Sequence, residues 1–257
     1  MKWKITPMFK DELQLRDPVL IEGLPGIGNV GKIAADFIIE ELEGEKIYDV
    51  FSYAMPHSVF VNEDNLVELP KIEIYKVPLK DKDLVIIAGD MQPIDEESCY
   101  EFSDRILDLC EELKISEVIT LGGVGLQEVP DKPKVYCTGN SQDIVKKYSE
   151  GTKMKTKVYG IIGPIMGVSG LLLGLGEKRN ILAISILSET LGHPMFLGIK
   201  GAKETLKVLE KKFNLEIKIS KLNKEIKAME KEMKKTEEIA SAGEKKEKSS
   251  GSVNYIG

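Results

Sequence analysis

The chain has 257 residues, 42% of them hydrophobic and 30% charged, the composition of one soluble α/β domain of ordinary size plus an appendage. Its 36 Lys and Arg face 42 Asp and Glu, a formal net charge of -6, so no overall basic field exists to gather nucleic acid or an anionic membrane surface. Three cysteines (Cys99, Cys110, Cys137) share no Cys-x-x-Cys spacing and occur with only two histidines, which argues against a disulfide framework or structural zinc and for a reducing cytoplasm.

The opening "MKWKITPMFKDELQL" carries charges where a signal peptide needs an apolar core. Next, "PVLIEGL" (18–24) reads as a buried strand and runs into "LIEGLPGIGNVGKIAADFIIEEL" (20–42), a strand, a glycine-rich turn and an amphipathic helix. In this helix Ile33, Phe37, Ile38 and Leu42 are expected on one buried stripe. The turn contains both Gly-x-Gly-x-x-Gly and Gly-x4-Gly-Lys, so Gly26, Gly28, Gly31 and Lys32 are the candidates for holding a nucleotide phosphate.

Neither nucleotide pattern is complete. A P-loop needs a hydroxyl after its lysine to hold magnesium, and Ile33 stands there. A dinucleotide site needs an acidic residue at the end of the next strand. Asp49 has about the right spacing but lies inside "EKIYDVFSY", and Pro25 interrupts the turn. The alternative, which we prefer, is that the glycines let a helix begin hard against a strand.

The segment "VFSYAMPHSVFVNEDNLVELPKIEIYKVPLKDKD" (50–83) alternates β-branched and aromatic residues with polar ones and is broken by Asn, Asp and Pro, which predicts a hairpin insertion or a small antiparallel layer. Further buried strands are expected at "DLVIIAGD" (83–90), "EVITLGGVG" (117–125), "KVYGIIGP" (157–164) and "NILAISILSE" (180–189). Between the first two, "ESCYEFSDRILDLCEELK" places Phe102, Ile106, Leu109, Cys110 and Leu113 on one helical stripe. Strand and helix alternate, so the prediction is an α/β core with a mainly parallel sheet, flanking helices and some mixed strand order. The run "VYGIIGPIMGVSGLLLGLG" (158–176) holds too many glycines for a membrane span and reads as strand, loop and short buried helix. His193 and Pro194 read as a loop after a strand.

Beyond residue 201 the composition becomes Lys- and Glu-rich and free of proline, predicting a helical appendage over 202–240 and a mobile polar tail over 241–257, after a core domain of 1–201. Leu222, Ile226, Met229 and Met233 follow a 4-3-4 spacing, the seam of a short coiled coil, which favours a homo-oligomer over folding back on the same chain. The tail ends Val253-Asn254-Tyr255-Ile256-Gly257. Tyr and Ile at the very end of a solubilising tail are unusual for a pure solubility tail and leave two readings equally open, a docking anchor or an inert terminus.

The motifs "LIEGLPGIGNVGKIAADFIIEEL", "AGDMQP", "ITLGGVGLQEVPDKPKVYCTGN" and "IIGPIMGVSGLLLGLGEKRNILAISILSETLGHPMFLGIKGAKETLKVLEKKF", in this order across residues 15–213, resemble the proteasome assembly chaperone family in its archaeal branch. The resemblance implies a nucleoside-phosphorylase-like α/β fold without enzymatic activity or cofactor, oligomer formation, and binding to 20S proteasome α subunits or the core particle. It also implies that the glycine turn is architecture, with a glycine-lined pocket persisting near Gly122, Gly123, Gly167 and Gly170. Some members end in a hydrophobic residue, Tyr and one last residue. Here Tyr255 stands third from the end, followed by Ile256 and Gly257, and Asn254 replaces the apolar residue. The competing expectation is a nucleotide- or nucleoside-binding enzyme that uses the Gly26–Lys32 turn.

Overall fold

A computed structural model describes residues 2–10, 12–160, 162–224 and 226–227. Apolar strands and helices alternate as the sequence predicts, and the strands form one sheet of eight in the order β1-β3-β6-β7-β2-β8-β10-β9. They are β1 (Lys4–Pro7), β2 (Val19–Gly23), β3 (Glu45–Phe51), β6 (Ile72–Pro78), β7 (Asp83–Gly89), β8 (Glu117–Leu126), β9 (Val135–Gly139) and β10 (Leu182–Leu191). The two short strands β4 (Phe60–Val61) and β5 (Val67–Glu68) form a separate hairpin. The four central strands β7, β2, β8 and β10 are parallel. Antiparallel pairs flank them, and β3 runs in the same direction as the central four. The mainly parallel sheet with mixed edges is the expected architecture.

The central strands are buried on both faces because helices cover both. Helix α1 (Val30–Glu41) packs with α5 (Ile199–Phe213) on one side, and α2 (Glu96–Glu112) with α4 (Gly167–Lys178) on the other. Helix α3 (Gln142–Ser149) packs on β9 and β10. The strand register sorts side chains between the faces, since successive residues point oppositely. Leu20, Val85, Val118 and Ala183 form one row, paired across β7, β2, β8 and β10, and belong to the core built around Phe102 and Ile106 of α2. Phe102 is completely buried, with Trp3 set edge-on to it at 4.8 Å, so the N-terminal segment is tied to the core.

Two local expectations are corrected. Residues 157–160 and 162–164 form no strand: Gly160 has φ of 76°, Tyr159 is fully exposed, and Gly163 and Pro164 break any ladder. The additional edge strand is β9, inside "KPKVYCTGN". On α1 the buried face is Val30, Ala34, Ala35 and Ile38, while Ile33, Phe37 and Leu42 are only half-buried. A Cβ on Gly23 would lie 2.4 Å from Ala35 Cβ, so the helix approaches its strand too closely for large side chains on that face.

The chain divides into two compact units between Lys218 and Ile219. In the second, Ile219–Lys221 form a short 3-10 turn and residues 222–224 and 226–227 are helical, which includes Leu222 and Ile226. Met229, Met233, Tyr255, Ile256 and Gly257 lie outside the described residues. Among the described residues, no helix is long and apolar enough to cross a membrane.

Candidate functional site

Open α/β sheets gather ligands outside the carboxyl ends of their parallel strands, and there this molecule has a cavity of about 890 Å³. Its floor is the end of β8 (Leu121–Gly125) with Leu24 and Leu187, and its walls come from the first turns of α2 and α4 and the glycine turn before α1. The expected glycine-lined pocket is present, with Gly122, Gly123, Gly167 and Gly170 all lining it.

Just beneath the floor is a polar row on the face covered by α2 and α4. Glu22, Thr120 and Ser185 are register partners on β2, β8 and β10, and all are buried. Glu22 Oε1 accepts from Leu24 N at 2.9 Å, and Oε2 accepts from Ser169 Oγ at 2.7 Å. Burial disfavours its charge and pushes the carboxyl up to about 7, against the opposing effect of these two hydrogen bonds. Gln92 completes the first turn of α4: Val168 N donates to its Oε1 at 3.4 Å, and its Nε2 donates to Pro25 O at 2.6 Å. One acceptor of the chain itself, Gln92 Oε1, therefore takes Val168 N at the N-terminus of α4.

The glycine turn is also filled from within. A Cβ on Gly31 would lie 2.3 Å from Leu121 O, and one on Gly123 would lie 2.2 Å from Ile27 O, so the turn presses directly on the backbone of β8. Gly28 adopts φ of 63°, its carbonyl accepts from Gly198 N at 2.7 Å, and a Cβ there would strike Thr190. Gly26 and Gly31 line the cavity, but Lys32 belongs to a second hollow, where it pairs with Asp36 at 2.9 Å and Asp90 at 4.0 Å. Asp49 stands on β3, separated from β2 by β6 and β7, and pairs with Lys46 at 3.0 Å. Lys32 and Asp49 thus stand apart from the cavity that Gly26 and Gly31 line.

His193 lies in the exposed loop after β10. Cys99, Cys110 and Cys137 are buried and free, and among the described residues no cluster of His, Cys, Asp and Glu is placed to hold a metal ion. Sequence reasoning passed over Glu22, Gln92 and Ser169. For Glu22 a signal existed: it is the one charged residue in the apolar run "VLIEGL".

A model of the PAC2 family matches residues 20–237. An uncharacterized protein of Methanocaldococcus jannaschii is 32% identical over 98% of this chain and 97% of its own. Among solved structures, PbaB of Pyrococcus furiosus, an archaeal proteasome activator, is 33% identical with a TM-score of 0.84, over 92% of this chain and 100% of that one. PbaA of the same organism, an archaeal homolog of proteasome-assembly chaperone, is 24% identical with a TM-score of 0.75, over 96% of this chain and 97% of its own, and shows the shared fold.

Proposed function

This chain belongs to the PAC2 family, and from that premise we propose that it is a non-catalytic, cytoplasmic protein that binds the 20S proteasome, either its α subunits or the assembled core particle. The observation that carries the reading is the likeness to an archaeal proteasome activator over 92% of this chain and the whole of that one, at 33% identity. The glycine turn supports it, because close packing against β8 and Thr190 is enough to require glycine at positions 28 and 31.

In this reading the unit ending at Lys218, which includes α5 packed on α1 and not only the expected residues 1–201, is a scaffold. The residues after it join copies through Leu222, Ile226, Met229 and Met233, and residues 241–257 present Tyr255, Ile256 and Gly257 to the proteasome. A tethered aromatic anchor binds weakly by itself, and several tails on one oligomer convert weak contacts into avidity. Immobilised full-length protein should retain an archaeal 20S core particle or its free α subunits; retention of neither would sink the proposal.

A further inference from the structure

The cavity has a chemistry of its own that proteasome binding does not use. We propose that it binds a small molecule with a flat apolar body and an uncharged or cationic N–H donor.

Its volume of about 890 Å³ lies within the range of small-ligand sites, roughly 300–1,000 Å³. The walls are largely apolar, with Leu24, Ile165, Leu171 and Leu187 around a floor where Gly122 offers bare backbone to a flat ring. At the mouth Ile94, Tyr100 and Met166 expose apolar surface to solvent.

Charge selects the class. Among the described residues no Lys or Arg lines the cavity, and the one carboxylate is that of Glu96, with Glu22 buried behind Ser169. The first turn of α4, which could have received an anion, already donates through Val168 N to Gln92 and through Ser169 Oγ to Glu22. A phosphate or carboxylate entering here would meet negative charge without a counter-ion. A donor meets the opposite situation. The Ser169 hydroxyl gives its hydrogen to Glu22, so its lone pairs remain to accept. The hydroxyls of Thr120 and Ser185, in the same row as Glu22, have no hydrogen-bond partner among the described residues, which marks this face as polar at depth within an apolar surround.

The test uses three probes with one ring system and different charge: indole, tryptamine and indole-3-acetate, each titrated calorimetrically into the full-length protein. Indole and tryptamine should both bind at least about 10-fold more tightly than indole-3-acetate. Ser169→Ala should weaken both, and Gly26→Trp should abolish binding with the circular dichroism spectrum unchanged, because a Cβ at Gly26 meets nothing within 4 Å. Tighter binding of the anion, no saturable binding by any probe, or binding unaffected by Gly26→Trp would overturn the proposal. So would a change of oligomeric mass in Gly26→Trp, which would assign the cavity to a second copy of the chain.

Discussion

Ser169 Oγ donates to Glu22 Oε2 at 2.7 Å, joining the first turn of α4 to the end of β2 across 147 positions of sequence. The contact places a carboxyl in the core with burial as the main influence on its titration and no charged side chain among the causes. Its pKa rises from 4.5 to about 7 on folding, so the folded protein keeps a proton that the unfolded chain releases between these values. Stability from this group is therefore fully present below about 4.5, falls as pH rises toward about 7 and stays lower above it. The loss is on the order of 3 kcal/mol. Glu22→Gln removes that dependence, so urea denaturation should show the variant gaining on the wild type between pH 5 and pH 8. A difference between the two that does not change with pH would contradict this assignment.

Close approach of the glycine turn to β8 predicts opposite outcomes for two glycines of the same cavity. Gly123→Ala drives a Cβ to 2.2 Å from Ile27 O, a backbone atom that cannot step aside. It should lower stability by about 1–3 kcal/mol. Gly26→Ala meets open space at an ordinary extended φ of -154°, and should be neutral or stabilising by about 0.4–1 kcal/mol. Thermal melts of the two variants check the contrast.

The parts of this fold legible in the sequence are those where burial on both faces leaves a continuous apolar run, as in β2, β7, β8 and β10, or where large side chains keep a helical period, as in α2. The rest was hidden for physical reasons. The buried face of α1 sets Ala34 and Ala35 between Val30 and Ile38, with Ala35 where the strand comes closest, and a hydrophobicity pattern instead weights the large Phe37, which is only half-buried. Strand β9 pairs along its length only with β10, its other side carrying a single bridge between Tyr136 and Lys155, and needs few apolar residues, whereas the more apolar 157–164 is broken by glycine and proline. At the site, the glycines were visible as a motif, but Glu22, Gln92 and Ser169 come together only through strand register and helix placement.

Asn140 ties the end of β9 to the start of β10. Its Oδ1 accepts from Ala183 N at 3.0 Å, and its Nδ2 donates to Ile181 O at 2.8 Å. Asn140→Ala strips both partners from half-buried backbone groups and should cost about 1–3 kcal/mol, with Asn140→Asp losing at least as much because a carboxylate oxygen then faces Ile181 O and Leu173 O where a donor stood. Equilibrium unfolding of the pair gives the comparison.

The separation of Lys32 and Asp49 from the cavity that Gly26 and Gly31 line predicts that ATP and NAD do not bind saturably at micromolar concentration in calorimetry. Lys32→Ala should change nothing in that experiment, since its ammonium serves Asp36 and Asp90. Micromolar ATP binding that is lost in Lys32→Ala would restore the enzymatic reading.

The central claim is attachment to the proteasome through residues at the C-terminal end. Native mass spectrometry of the full-length chain and of a version ending at Ser252, each mixed with an assembled archaeal 20S core particle, tests it most directly. The account predicts a complex with the full-length oligomer that disappears with Val253–Gly257 while the oligomer itself persists. No complex with the full-length chain, or a complex equally abundant without those residues, would contradict it.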